Sequence, residues 1–131
     1  MRISQELYEE MIEHAREDAP NECCGMIAVR DDQALRLYRA TNAAASPLRF
    51  EIDGREQIRI HNDIEDAGLE LGAIYHSHTR TEPAPSQTDI TFAQGWPGVL
   101  WVIVGLTKPE PRVRTWLIQD GQATEAELAV Q

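Results

Sequence analysis

The sequence is poor in basic residues and contains no long apolar run. Only 12 lysines and arginines stand against 22 aspartates and glutamates, which gives a formal net charge of −10. Nucleic acids and anionic membranes attract proteins through a basic surface, so this balance argues against both as partners. The longest apolar stretch, Val99–Leu106, is too short to cross a bilayer.

The sequence is also poor in cysteine, and its first residues carry no targeting pattern. Cys23 and Cys24 are adjacent, and because disulfide geometry strains a bridge between neighbours, we expect two free, buried thiols in a reducing compartment. Met1–Glu6 lacks the apolar core of a signal peptide. These features together favour a cytoplasmic location.

No internal repeat and no Gly/Ser-rich linker divides the chain, so residues 1–131 are predicted to form a single domain. Apolar periodicity and cap residues predict three helices: Ser4–Asp18, Arg55–Ala67 and Ser86–Ala93. Short apolar or alternating runs predict six strands: Cys24–Val29, Leu35–Tyr38, Phe50–Ile52, Leu71–Tyr75, Val99–Leu106 and Val113–Ile118. Hairpins that alternate with helical crossovers indicate an α/β (α+β) layered domain, with a mixed β-sheet flanked by helices.

Several residues are predicted to have no chemical role. His14 lies in the first helix among charged neighbours and is expected to face solvent, and His61 in the second helix is expected to be partly buried. The three tryptophans are expected to pack in the core or at its edge, with Trp101 in a buried strand. The acidic tail after Gly121 is weakly patterned.

The strongest chemical signal is a His-x-His pair, His76 and His78, followed by a Ser-x-x-Asp pair, Ser86 and Asp89. The two histidines end a predicted strand, where side chains two residues apart point to the same side. Asp89 lies in the first turn of the next predicted helix, so its carboxylate can face back toward them. Two imidazoles and a carboxylate suit zinc, and three protein ligands leave a fourth position for water, as in catalytic sites.

The Ser-x-x-Asp pair also has a purely structural interpretation. A serine three residues before an acidic side chain at a helix start resembles a capping box, here with aspartate in place of glutamate or glutamine. The two interpretations are compatible, because a residue can cap a helix and still present a lone pair to a metal.

These residues match the signature of the JAMM/MPN+ (Mov34/PAD-1) metalloprotease family, which the chain resembles from about residue 3 to residue 118. The His-x-His pair, the seven-residue spacer and the Ser-x-x-Asp pair are all present. The family also has a glutamate in a segment resembling Pro-x-Glu-x-x-Gly at the start of a strand, and Pro20–Gly25 supplies it as Glu22. Thr79 stands where many members have proline, a departure that leaves the ligand positions intact.

The resemblance implies a fold and a role for each residue. His76, His78 and Asp89 correspond to the ligands of one zinc ion per chain, with water as the fourth ligand. Glu22 corresponds to the general base, which takes a proton from that water and returns it to the leaving amine. Ser86 corresponds to the donor of a hydrogen bond to the developing oxyanion. The implied fold is the MPN/JAB fold, similar to the cytidine-deaminase-like architecture.

The chain is similar to the compact prokaryotic Mec-type branch of the family, since no obvious insertion follows Asp89. That similarity implies cleavage of the amide bond after the C-terminal Gly-Gly of a ubiquitin-like sulfur-carrier protein, with release of cysteine from a carrier–cysteine adduct of the CysO kind. Ala43–Ile52 and Arg80–Ala84 are expected to hold the extended tail, which can bind by adding to a sheet edge.

Two other functions compete with this hypothesis. MPN folds that lack the metal residues serve as non-catalytic modules for ubiquitin-like proteins, but such a module would not need the complete ligand set. A zinc nucleobase deaminase would need His-x-Glu followed by Pro-Cys-x-x-Cys, and the sequence has neither.

Overall fold

The computed structural model describes all 131 residues, which form one eight-stranded sheet and three helices. The strands are β1 (Arg2–Ile3), β2 (Cys24–Arg30), β3 (Gln33–Ala40), β4 (Glu70–His78), β5 (Leu100–Gly105), β6 (Arg112–Gln119), β7 (Gln122–Ala126) and β8 (Ala129–Val130). The helices are α1 (Gln5–Asp18), α2 (Gly54–Asp66) and α3 (Gln87–Ala93). None of the three helices has the length and apolar content that a membrane crossing requires.

The sheet is mixed, with the strand order β7-β6-β5-β4-β2-β3-β1-β8. Strand β4 lies inside it, antiparallel to β2 and parallel to β5. The register places Cys24 beside His76, so the residues just before β2 lie near the end of β4. The parallel β4–β5 pair requires a crossover, and that crossover contains α3.

Alternate residues of the strands enter two apolar clusters, one on each face of the sheet. On one face Met26 of β2 and Ile74 of β4 pack with Ile60 and Ile64 of α2. On the other face Ile27 packs with Met11 and Ala15 of α1. The predicted layered fold, with a mixed sheet flanked by helices, is therefore confirmed. The assignment of residues 1–131 to a single domain stays a prediction.

The predicted helices agree with the structure to within one residue at each end. Ser4 caps α1 by accepting a hydrogen bond from the Leu7 N–H at 3.2 Å. Asp53 caps α2 by accepting from the Arg55 N–H at 2.8 Å. Strand β4 extends three residues beyond the predicted Leu71–Tyr75, so both histidines of the His-x-His pair lie inside the strand.

The predicted strand Phe50–Ile52 is wrong, because only an isolated bridge joins Asn42 to Ile52. Two regions without a strand prediction do pair: the tail forms β7 and β8, and the first residues form β1. Strand β1 pairs in parallel with both β3 and β8. Such contacts between distant segments leave no periodicity in a two-residue strand, so the sequence pattern could not predict them.

The prediction that His14 faces solvent is also wrong, because its exposed fraction is 4%. Helix α1 packs this side chain against the sheet, where the ring Nδ1 lies 2.7 Å from the Tyr75 hydroxyl and Nε2 lies 3.3 Å from Asp18. One neutral tautomer can accept from the tyrosine and donate to the carboxylate. Charged neighbours in sequence therefore misled the prediction, since one of them, Asp18, is a partner of the buried ring.

A close packing contact at Gly25 generates a stability prediction. A Cβ atom at this position would collide with the Tyr75 ring, and overpacking costs roughly 1–3 kcal/mol. We expect Gly25→Ala to lower the free energy of unfolding by about that amount in urea titrations. The matched control is Gly54→Ala, because a Cβ at Gly54 meets no atom within 4 Å. Equal stability of the two variants would contradict this account.

The buried His14 generates a pH prediction. Burial, only partly offset by the Asp18 charge, lowers the pKa of His14 in the folded state, so the unfolded chain binds more protons as the pH falls through about 6.5. The stability that neutral His14 contributes is present above that pH and is lost below it. We expect His14→Gln to cost about 1–3 kcal/mol at pH 7.5 and distinctly less at pH 5.5. A cost independent of pH in urea titrations would contradict the pKa shift.

Candidate metal centre

The candidate centre lies where β4 ends and α3 begins. His76 and His78 are the first and last of the final three residues of β4, so both rings lie on the same face of the sheet and Ser77 between them lies on the other. Asp89 is the third residue of α3, whose first turn faces the end of the strand. The structure thus brings together the three side chains that the sequence indicated as metal ligands.

The Asp89 carboxylate joins the helix to both histidines. Its Oδ1 lies 3.3 Å from Nε2 of His76, and its Oδ2 lies 3.1 Å from Nε2 of His78. Oδ2 also accepts a hydrogen bond from the Ser86 N–H at 2.9 Å, while the Ser86 hydroxyl accepts from the Asp89 N–H at 3.1 Å. The predicted capping box is therefore present. The hydroxyl accepts in this box, so its own hydrogen remains available for donation to a ligand.

Glu22 lies on the other side of His76. Its exposed fraction is only 4%, and its Oε1 is 3.3 Å from Nδ1 of His76. The angles at this contact do not make a hydrogen bond, so Oε1 has no partner. A buried carboxylate oxygen without a partner is costly, and this one lies directly beside the candidate ligands.

The His78 ring has its orientation fixed by a backbone contact. Nδ1 of His78 lies 2.9 Å from the carbonyl oxygen of Glu82, in the loop that follows β4. A carbonyl can only accept, so Nδ1 carries a hydrogen and Nε2 is the nitrogen that faces Asp89. When Nε2 carries no hydrogen of its own, its lone pair is available to a metal ion. Metal-binding histidines are commonly oriented by such a contact.

His76 is fully buried between aromatic rings. Phe50 stacks on it with a centroid distance of 4.6 Å, and Trp101 meets it edge-on at 6.5 Å. Neither ring nitrogen of His76 has a hydrogen-bond partner. The aromatic neighbours hold the ring in place and exclude water, which leaves both nitrogens without solvation.

Charge on this cluster is organised around Asp89. Burial by itself would raise the pKa of Asp89, but the hydrogen bond from His78 and the charge of His76 lower the pKa to about 2. Burial opposes the charging of His78, yet the contacts with Asp89 and Glu82 raise its pKa above the ordinary value. An ionised carboxylate at the centre therefore favours a positive charge at this position.

The donor set fits a zinc ion. Ligand atoms held at roughly 2.0–2.1 Å from a tetrahedral zinc lie about 3.3 Å apart, and the contacts of Asp89 with His76 and His78 measure 3.3 and 3.1 Å. Glu22, His76 and His78 also form a group whose ligand atoms lie within 4.8 Å of one another. Asp89 is the better third ligand, because it faces Nε2 of both rings whereas Glu22 faces the opposite nitrogen of His76.

Other residues near the centre were not indicated by the sequence, or prove to be structural. Two residues of the loop before α2 have no recognisable motif of their own: Phe50, which stacks on His76, and Asn42, which donates to the backbone carbonyl of Glu22. Cys23 is fully buried next to Glu22, and burial raises the pKa of its thiol to about 12. It therefore stays protonated, which agrees with the packing role predicted for it.

The donor set generates a metal-binding prediction. We expect His78→Ala to weaken zinc binding by more than about 100-fold, since removal of an outer-shell partner alone costs 10–100-fold. Competition titrations with a chromophoric chelator measure this affinity. His61→Ala is the control, because His61 stacks on Trp96 in another part of the fold. A His78→Ala protein that binds zinc like the unmodified chain would exclude this donor set.

Comparison with known proteins assigns these features to a family of domains. The family described as prokaryotic homologs of the JAB domain matches residues 4–119. The CysO-cysteine peptidase of Mycobacterium tuberculosis strain H37Rv is 37% identical over 131 residues, which cover 98% of this chain and 89% of the relative. The desampylase of Haloferax volcanii is 34% identical over 110 residues, which cover 79% of this chain and 78% of the relative.

Solved structures show the same architecture. The solution structure of a protein from Desulfitobacterium hafniense superimposes with a TM-score of 0.88 at 32% identity, covering 99% of this chain and 92% of the other. A JAB1/MPN domain protein from Archaeoglobus fulgidus gives a TM-score of 0.67 at 21% identity, covering 99% and 98%. At that identity the likeness establishes the fold alone.

Proposed function

Because the chain belongs to the family of prokaryotic JAB domain homologues within the JAMM/MPN metalloproteases, we propose that it is a zinc-dependent peptidase acting on a ubiquitin-like sulfur carrier. The bond cleaved is the amide after the carrier's C-terminal Gly-Gly, and the product is cysteine, released from a carrier–cysteine adduct in the cytoplasm. One zinc ion per chain is held by His76, His78 and Asp89, with water as the fourth ligand.

The convergence of the Asp89 carboxylate with Nε2 of His76 and of His78 is the observation that carries this proposal. All three residues are at least 95% buried, and His76 has no hydrogen-bond partner for either nitrogen. A purely structural cluster would satisfy these atoms within the protein. The donor set leaves room for a water ligand, which is the arrangement of catalytic zinc rather than structural zinc.

A zinc ion bound there would lower the pKa of a water molecule and polarise the substrate carbonyl. Glu22 then takes a proton from the attacking water and delivers it to the nitrogen of the leaving amine, so that the amide C–N bond breaks with the proton balanced. Its buried carboxylate is suited to this task, because the unpartnered Oε1 keeps a lone pair available. The Ser86 hydroxyl donates to the oxyanion that forms on the carbonyl oxygen.

The substrate assignment is supported by the names of relatives and by the two loops at the centre. The 37% identical relative is a CysO-cysteine peptidase, and a Thermus thermophilus relative is a probable TtuB-protein conjugate cleaving protease with 34% identity over 121 residues. The loop Ala43–Ile52 contacts His76 through Phe50, and the loop Arg80–Ala84 contacts His78 through Glu82. A tail without Cβ atoms would be able to enter a channel between these loops that is too narrow for larger residues.

The function is tested with a Glu22→Gln variant and the M. tuberculosis CysO–cysteine adduct as the probe. Loss of the general base is expected to lower kcat by about 10²–10⁴-fold, while zinc content stays unchanged because Glu22 is not a ligand. Release of cysteine, followed by mass spectrometry of the carrier, measures the rate. Glu65→Gln, an exposed residue of α2, is the matched control and should turn over normally.

Two outcomes would refute the proposed function. Full activity in Glu22→Gln would remove the general base from the mechanism. Tight carrier binding without turnover by the unmodified, zinc-loaded chain would instead identify a non-catalytic binding module for ubiquitin-like proteins.

A further inference from the structure

The Glu22 carboxylate is held close to His76 although its Oε1 makes no hydrogen bond. A carboxylate that takes a proton needs a free lone pair on one oxygen, and the Glu22 Oε1 has no hydrogen-bond partner. The carboxylate nevertheless lies 3.3 Å from His76 in a site that is almost closed to solvent. No hydrogen bond to Oε1 fixes the side chain, so the bonds of the backbone that carries Glu22 bear directly on its position.

Three hydrogen bonds hold that backbone. The Glu22 N–H donates to the Ser46 carbonyl at 2.9 Å. The Glu22 carbonyl accepts from Nδ2 of Asn42 at 3.0 Å. The N–H of the next residue, Cys23, donates to the Ser77 hydroxyl at 2.8 Å, so the segment is tied to the residue between the two histidines. Two of these three bonds lead to one loop, residues 42–51.

Asn42 organises this loop through a single amide. Besides the Glu22 carbonyl, its Nδ2 donates to the carbonyl of Arg49 at 3.0 Å and lies 3.4 Å from that of Ser46. Its Oδ1 accepts from the N–H of Ala44 at 3.0 Å and from that of Glu51 at 3.1 Å. Only a neutral amide can donate to carbonyls and accept from N–H groups in this way. The contacts also fix which end of the amide is nitrogen.

The same loop forms a wall of the metal centre. Phe50, stacked at 4.6 Å on His76, lies between the Arg49 carbonyl and the Glu51 N–H that Asn42 binds. No strand ladder supports this segment, because the pairing there is one isolated bridge. The buried Asn42 side chain, with an exposed fraction of 8%, therefore supplies the hydrogen bonds that hold this segment in place, as strand pairing does elsewhere in the sheet.

We infer that Asn42 is a positioning residue for the general base: it fixes the Glu22 backbone and the Phe50 wall together, and so sets the Glu22 carboxylate against the histidine pair. The inference rests on the proposed function, since it assigns Asn42 a role through Glu22. Asn42 touches neither the candidate metal ligands nor the substrate in this scheme. Its effect is on geometry, and misplacement of a reacting group by about 1 Å can cost 100-fold in rate.

Asn42→Asp and Asn42→Ala test the inference, because aspartate keeps the shape and loses both donors, while alanine removes the amide altogether. We expect each to lower kcat for the CysO–cysteine probe by about 10–100-fold, with zinc affinity changed less than about threefold. Asn62→Asp makes the same chemical change on the exposed face of α2 and is expected to retain the normal kcat.

A double-mutant cycle separates positioning from general structural damage. If Asn42 acts through Glu22, adding Asn42→Ala to Glu22→Gln should lower the residual rate by less than about threefold. Multiplicative losses, or a normal kcat in Asn42→Asp, would overturn the inference. If Glu22→Gln is inactive while Asn42→Asp is normal, this inference alone fails; if Glu22→Gln is fully active, the proposed function fails as well.

Amide hydrogen exchange gives a second readout that needs no activity. Asn42→Asp should speed exchange at the Glu22 and Glu51 amides. Met11→Ala, a core variant of α1 in the apolar cluster on the other face of the sheet, should not do so selectively. Unchanged exchange at both amides in Asn42→Asp would also overturn the inference.

Discussion

The contact of one carboxylate with two rings is the interaction on which this region of the structure depends. Asp89 closes the capping box that starts α3 through Oδ2, which also faces Nε2 of His78, and its Oδ1 faces Nε2 of His76. The start of the helix and the geometry of the centre are therefore coupled, because the helix cannot shift its first turn without moving the carboxylate. A seven-residue helix contributes little stability of its own, so its place is set by this capping and by its packing on the sheet.

The position of β4 in the sheet explains why the other groups meet there. The antiparallel partner β2 brings Glu22, two residues before its first paired residue, alongside His76. The parallel partner β5 forces the chain through a crossover, and the crossover contains α3. Because β2 is antiparallel to β4, the segment that precedes β2 lies beside the end of β4. Because β5 is parallel to β4, the chain must leave that same end through a crossover, which contains α3. The centre is a consequence of this change in strand direction.

Local chemistry was predictable from sequence, and long-range packing was not. The fold class, the three helices and the capping box at Ser86 followed from periodicity and cap residues, and the structure then placed the motif residues together. His14 was mispredicted because periodicity alone did not show which helix face meets the sheet. The roles of Asn42 and Phe50 were invisible, since an asparagine that binds five backbone groups and a phenylalanine that stacks on a ligand candidate have no pattern of spacing. Their contacts exist only once distant segments have met.

Buried polar atoms without hydrogen-bond partners indicate a binding site when several of them lie together. Five side-chain atoms of the chain are of this kind: the Nε1 of Trp101 and the Oγ1 of Thr115, each alone, and three that belong to Glu22 and His76. Each costs about 1–3 kcal/mol when nothing satisfies it, so three in one place form a concentrated loss of stability. A ligand that binds Nε2 of His76 only in the folded chain recovers part of that loss and shifts the folding equilibrium by mass action. Binding at this centre and stability of the fold are thus coupled. A cation is the ligand that gains most from this coupling, because the ionised Asp89 carboxylate already supplies the opposite charge.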